Sequence, residues 1–345
     1  MKFCPECRAQ VVYAEAKFCT ECGLDFAVVK GVGAVLEPRD GDTQAENLDP
    51  IDVDELRQLA EAGDVESMFG YGCFAQQIGD SESAQFWYRK AAEAGDYRSM
   101  MNLGKIFEVN GDYKTAKVWF QKGVDAGDAN QLFPLGLACE ELGEIEGAKM
   151  AYEKAANNGD SRAMSNLGLL AQGQGEISVA KRWWAKGSIE ENPNCMFNLG
   201  TLENLEGNVE IARDLWQKSA VAGLPEAMFN LAVLFDNQGE RQGARFWWSK
   251  CAEMGDAESM TKLGWYAEED EDLVTAKKWF ERGAEAGDPD AMNKLGALAQ
   301  DEEDFETAKM WYRRALDAGD IFARFNLDTL LESLGDTEGI RQEPV

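Results

Sequence analysis

The chain has 345 residues, 63 acidic against 34 basic side chains, a formal charge of −29 and no histidine. Nucleic acid is held chiefly by neutralising phosphates with Lys and Arg, so no nucleic acid is expected as a partner of the whole chain, while a basic protein or peptide is acceptable. Without histidine there is no imidazole acid, base or metal ligand and no Ser–His or Cys–His nucleophile. With no Gly-rich phosphate loop either, the expectation is a protein that is not an enzyme.

No apolar run reaches the length of a membrane span, and the opening MKFCPECRAQ lacks the apolar stretch of a secretion signal. The missing signal, with four of the eight cysteines in a tight N-terminal pattern and Cys73, Cys139, Cys195 and Cys251 scattered, leads us to expect a reducing, cytoplasmic setting. Residues 4 to 22 place Cys4, Cys7, Cys19 and Cys22 as two C-x2-C pairs eleven residues apart. Two such knuckles can set four thiolates tetrahedrally around a structural Zn2+; a redox dithiol or an iron–sulfur centre would use the same residues. So short a segment cannot fold on a hydrophobic core alone, so metal binding would supply its folding energy. In MKFCPEC and AKFCTECG, residues 1–28 resemble the short zinc-ribbon found at the start of many bacterial proteins, which implies a small β module. Such ribbons often touch nucleic acid. That gives a second reading, a nucleic-acid or transcription-machinery factor with the rest of the chain as spacer. Here Lys2, Arg8 and Lys17 are outweighed by Glu6, Glu15, Glu21 and Asp25, so no basic face is expected. Residues 29–50 are acidic, rich in turn formers and read as a flexible linker.

Residues 51–338 repeat. Gly-Asp recurs at Gly63, Gly95, Gly127, Gly159, Gly255, Gly287 and Gly319, with Glu191-Asn192 and Gly223-Leu224 in the skipped slots, always 32 residues or a multiple apart. A period of this size marks a solenoid. With that Gly as position one, Met or Leu at six, Tyr71 and then Leu at nine, and Gly at ten in seven of nine repeats (Gly72 to Gly296, with Ala232 and Asp328 as departures) make one helical stripe. Glycine there costs about 1 kcal/mol of helix propensity, so close approach of a second helix must outweigh it. A second break falls at seventeen. Ala at 22, aromatics at 25 and 26 and a small residue at 29 make the next stripe. Each repeat therefore reads helix A, short turn, helix B. Gly287 ends a helix in left-handed conformation, Asp288 caps the next and Pro289 takes its first position. Lys or Arg at position 28, from Lys90 to Arg314, suits the negative end of helix B. Residues 54–62 read as a leading helix B and 319–335 as a closing helix A, with Arg324 and Asp328 as a polar cap; 339–345 is a tail.

DAESMTKLGWYAEE followed by TAKKWFERGAEAGD resembles the Sel1-like repeat, and the order of small, Leu-Gly, Ala, aromatic and Ala is similar to the tetratricopeptide repeat. The resemblance implies an all-α, right-handed α/α superhelical solenoid of helix-turn-helix units, beside the small β zinc-ribbon. It also implies a scaffold or adaptor that holds a protein or peptide on its concave surface. In the tetratricopeptide family an Asn of helix A, two residues before the small residue of Leu-Gly, contacts the bound chain. The matching residues are Asn102, Asn166, Asn198, Asn230 and Asn326, with Lys262 and Lys294 in the same column. A ladder of amides one repeat apart suits an extended peptide; a solvated polar column is the alternative. One residue earlier lie Phe69, Phe133, Phe197, Phe229 and Phe325, which are either groove anchors or partly buried packing. Acidic residues gather at the A–B turns: Glu108, Glu140, Glu141, Asp236, residues 268–272 and 301–304. They read as a solvated edge, as steering for a basic partner or, less well, as a Ca2+ site. The four repeat cysteines read as core fillers.

Overall fold

The computed structural model describes residues 53–336 and one two-residue antiparallel strand pair, Lys2–Phe3 with Gln10–Val11. Cys4, Cys7, Cys19, Cys22 and the linker lie outside the described residues. From residue 53 onward the described chain is helical, and it divides after Gly175 into two compact units.

In the first unit the B-type helices are α1 (Val53–Glu61), α3 (Ser81–Glu93), α5 (Tyr113–Asp125) and α7 (Ile145–Asn157). The A-type helices are α2 (Val65–Gln77), α4 (Tyr97–Val109), α6 (Leu132–Glu141) and α8 (Ser161–Gly173). In the second, α9 (Ile177–Ile189), α11 (Val209–Val221), α13 (Arg241–Glu253), α15 (Leu273–Glu285) and α17 (Phe305–Asp317) are B-type. Its A-type helices are α10 (Pro193–Leu205), α12 (Pro225–Asn237), α14 (Ala257–Glu269), α16 (Pro289–Asp301) and α18 (Ile321–Ser333). Within each unit every helix packs on its neighbours in chain order, as stacked two-helix repeats must.

The helix boundaries fall where the Gly-Asp pattern sets them. Asp288 accepts from Ala291 N at 2.8 Å with Pro289 at the first position of α16, and Gly287 has φ +97°. Asn192 does the same for Cys195 N at 3.0 Å. Three turn positions use glutamate instead of glycine: Glu191, Glu271 and Glu303 have φ of 55°, 62° and 60°. A side chain in that conformation costs roughly 1–2 kcal/mol.

One helix departs from the expected start. The third A helix opens with a 3-10 turn, Ala129–Gln131, before α6. Pro134 offers no N–H to the carbonyl four residues back and its ring crowds that carbonyl, so the preceding turn tightens. Gln131 is then fully buried, donating to Tyr97 O at 2.7 Å and to Asp128 Oδ2 at 3.0 Å.

The position-ten glycines serve the close approach that their cost implied. A Cβ on Gly104 would lie 2.3 Å from the Phe120 ring, on Gly136 2.4 Å from Tyr152, on Gly264 2.5 Å from Phe280 and on Gly296 2.5 Å from Tyr312. The ring is always the position-26 aromatic of the same repeat, sixteen residues on. Those aromatics are the largest fully buried side chains, Trp184, Trp248, Tyr88, Tyr152 and Tyr312 among them. Tyr88, Tyr152 and Tyr312 fill the bare backbone of their own hairpins, whereas Trp248 shares its core with Ala232. Cys73, Cys139, Cys195 and Cys251 are free and buried, the core-filling role expected of them.

Candidate functional site on the A helices

The A helices bring positions 4, 8, 11 and 15 to one face. The position-eight column does not act as one ladder. In the first unit Asn102 is buried at 7% exposure, and Asn166 donates to the Tyr152 hydroxyl at 3.1 Å. That hydroxyl in turn donates to Glu140 at 2.8 Å, and burial pushes its pKa up. Both amides serve packing. In the second unit Lys294 pairs with Glu268 at 2.8 Å, the Lys262 ammonium lies 4.5 Å over Trp265, and Asn326 donates to Asn293 at 2.8 Å. Asn198 and Asn230 are half-buried and make no hydrogen bond among the described residues.

Those two are the part of the column free to bond a visitor. Asn230 lines a depression of about 210 Å³ between α10 and α12, with Thr201, Asn204, Leu205, Val233, Leu234 and Asn237 around it and Trp216 beneath. The Trp216 ring is held by a bond from Nε1 to Phe197 O at 3.2 Å. Leu205 is 77% exposed at the rim. The depression offers amides and apolar surface with no charged side chain in its lining. Sequence reasoning missed positions 11 and 15, although they lie one and two turns beyond position 8 on the same helical face.

The phenylalanine column is mostly packing. Phe69 is buried under the Arg98 guanidinium, 4.2 Å away, and Phe133 lies under Arg162 at 4.4 Å. Phe229 sets its edge on Trp248 at 5.1 Å and 84°, and Phe197 is half-buried in the same core. Phe325 is the exposed member.

The acidic turns are answered from within. A position-23 cation on each of several B helices reaches the next repeat's turn. Lys117 meets Glu144, and Lys181 meets Glu203 and Glu206 at 2.8 and 2.7 Å. Arg213 binds Glu240 through both nitrogens at 3.0–3.1 Å. Arg245 meets Asp270, and Lys277 meets Glu302 at 3.0 Å. Asp236 accepts from Tyr266 at 2.5 Å. The edge is therefore largely an inter-repeat tie. Among the described residues no group of three or more His, Cys, Asp or Glu could hold a metal ion. The position-28 cations do more than meet the helix dipole. Lys122 lies 4.2 Å over Trp119, Arg282 4.4 Å over Trp279 and Arg314 4.5 Å over Trp311, a cation–π arrangement.

The family model described as Sel1 repeat matches residues 59–96, 98–128, 193–223, 225–256, 257–288 and 289–320, more than half of the chain. The chain belongs to the Sel1 repeat family. The Sel1 match skips 129–192, yet α6 to α9 keep the same helical pattern there. A protective antigen of uropathogenic Escherichia coli displaying an SLR fold is similar at 23% identity and TM-score 0.65, over 82% of this chain and 68% of that one. A Sel1 repeat protein from Oxalobacter formigenes is similar at 23% identity and TM-score 0.63, over 80% and 90%. Both likenesses concern the fold. A comparison with the curated proteins found no match. Among the described residues no helix is long and apolar enough to cross a membrane.

Proposed function

We propose that the chain is a non-enzymatic Sel1-repeat scaffold that binds an extended segment of a protein partner on the A helices of its second unit. The zinc-ribbon at 1–28 would serve as an accessory docking module. The observation that carries this reading is the depression between α10 and α12. There the unbonded amide of Asn230 stands beside exposed Leu205 and half-buried Val233 and Leu234, and Asn198, likewise unbonded, holds the same position one repeat earlier on α10. An amide can donate to and accept from a peptide group at once, while the apolar rim supplies area that water leaves on binding. A partner with basic segments suits a chain of charge −29.

Affinity capture with the wild type, followed by the same capture with Asn198→Ala and Asn230→Ala together, tests it. The captured partner is expected to weaken by about tenfold or more, as for loss of two buried hydrogen bonds. Undiminished capture removes this face as the site. For the N-terminal module, Cys4, Cys7, Cys19 and Cys22 are the proposed thiolate ligands of one Zn2+. Metal analysis should find one zinc per chain and none in a Cys4→Ser, Cys7→Ser variant.

A further inference from the structure

The N-terminal ends of the A helices carry a second, sharper feature. In the first unit Arg98 joins two repeats. Its Nη1 and Nη2 donate to Glu66 at 2.9 and 2.5 Å, its Nε donates to the cap Asp96 at 2.9 Å, and its plane covers Phe69. One guanidinium thus answers the position-four carboxylate of one repeat and the cap carboxylate of the next.

Seven repeats later the same two carboxylates recur as Asp290 and Asp320, but the residue equivalent to Arg98 is Phe322, 71% exposed. Asp320 is only 6% exposed. Its Oδ1 accepts from Phe322 N at 2.7 Å, while its Oδ2 is buried with no hydrogen-bond donor among the described residues. At Asp64, Asp96 and Asp256 position five is a serine that gives one cap oxygen both its N–H and its hydroxyl; here position five is Ala323, which has no hydroxyl to give. A buried oxygen without a donor is unfavourable. Burial and the charges of Asp288 and Asp320 hold the Asp290 carboxyl above the usual carboxylate range, with Lys262 opposing them in part. Negative charge is thus left over at this place. Beside it Ile321, Phe322 and Phe325 are 78%, 71% and 73% exposed.

We propose that Asp290 and Asp320 receive an arginine side chain from a partner, carried on an extended peptide whose neighbouring apolar residue packs on Phe322 and Phe325. The chain itself shows the complement, since Arg98 fills the equivalent place. A guanidinium presents five N–H donors in a planar fork and can serve carboxylates from two helices at once. The pairing gains strength because Asp320 is shielded from water. The proposal rests on the reading of the A helices as a peptide-binding surface and adds the chemistry that the peptide must carry.

The probe is a fluorescein-labelled Gly-Ala-Arg-Leu-Ala-Gly peptide, with a twin in which citrulline replaces arginine, titrated by anisotropy at low salt against the full chain. Citrulline keeps the shape and removes the charge, and is expected to bind about tenfold more weakly or worse. Asp320→Asn keeps a competent helix cap and should weaken the arginine peptide by about tenfold. Phe322→Arg would supply the guanidinium internally, as Arg98 does. It should abolish peptide binding and raise the thermal midpoint, a readout that needs no peptide. Equal affinity for the two peptides, no saturable binding by the wild type, or unchanged affinity in Asp320→Asn overturns the proposal. Loss in the Asn198→Ala, Asn230→Ala variant with Asp320→Asn unaffected would leave the α10–α12 reading standing and remove this one. The reverse pattern would do the opposite.

Discussion

Up to Gly175 every left-handed turn position is a glycine; beyond it Glu191, Glu271 and Glu303 hold that conformation. The units also differ at position four of the A helices. The first has Arg98 and Arg162, each paired with the aspartate that caps its own helix. The second has Glu226, Glu258 and Asp290. Burial, followed by neighbouring aspartates, holds the carboxyls of Glu258 and Asp290 above the usual range. Yet the interior follows one rule in both units, a position-ten glycine under a position-26 ring, with Ala232 beside Trp248 as the exception. The fold therefore does not ask for these differences. The first unit ties its position-four arginines to its own cap aspartates, whereas the second carries acids at that position and glutamate at three left-handed turns, the kind of local strain found at binding surfaces.

The largest effect should come from the feature the units share. Gly104→Val drives a branched side chain into the Phe120 ring and is expected to cost about 2–3 kcal/mol in urea unfolding. Ala232→Gly, where the second unit already fits a methyl group beside Trp248, should cost only about 1 kcal/mol of helix propensity. Equal costs would break the idea of a common packing rule. Next, Arg98→Ala uncovers Phe69 and strips Asp96 of its cation, for about 1–2 kcal/mol; Arg324→Ala, whose partner Asp328 is one turn away on the same helix, should cost about 0.5 kcal/mol or less. Glu271→Gly and Glu303→Gly should each stabilise by up to about 1 kcal/mol, seen as a higher urea midpoint with unchanged slope.

The smallest effect is the pH profile. Burial and neighbouring aspartates raise the folded pKa values of Glu258 and Asp290, so the native state binds their protons first and stability should rise as pH falls from neutral toward the usual carboxylate range. Asp64, Asp112, Asp272 and Asp304 accept hydrogen bonds from Ser67, Thr115, Thr275 and Thr307, which lower their pKa values. Their contribution is present above the unfolded carboxylate value of about 3.9 and is lost as pH falls through the lower folded values. The thermal midpoint is expected to rise on mild acidification and fall on strong acidification, and Glu258→Gln with Asp290→Asn should remove the rise.

The period, the A and B helices, their caps and breaks and the need for bare backbone at position ten were all legible from residue spacing, because each is decided within one or two turns. What lay across repeats was not. The ring that fills Gly104 sits sixteen residues away on the other arm of the hairpin. The cation over Phe69 comes from the following repeat, and Glu240 is answered by Arg213 from the preceding one. For the same reason the column from Asn102 to Asn326 looked uniform. Whether each amide is free depends on whether Tyr152, Asn293 or nothing stands beside it. The alternative reading of the phenylalanines as packing holds for Phe69, Phe133, Phe197 and Phe229, while Phe325 is exposed.

The forward-facing cation and backward-facing carboxylate of successive bricks in the second unit give the array a grammar for growth. Arg213, Arg245 and Lys277 each end one clause, and Glu240, Asp270 and Glu302 each open the next. Excising residues 224–255 would bring Arg213 to face Asp270 and Asp272 in place of Glu240, so that the chain could be shortened or lengthened by whole bricks without leaving an orphaned charge at the join.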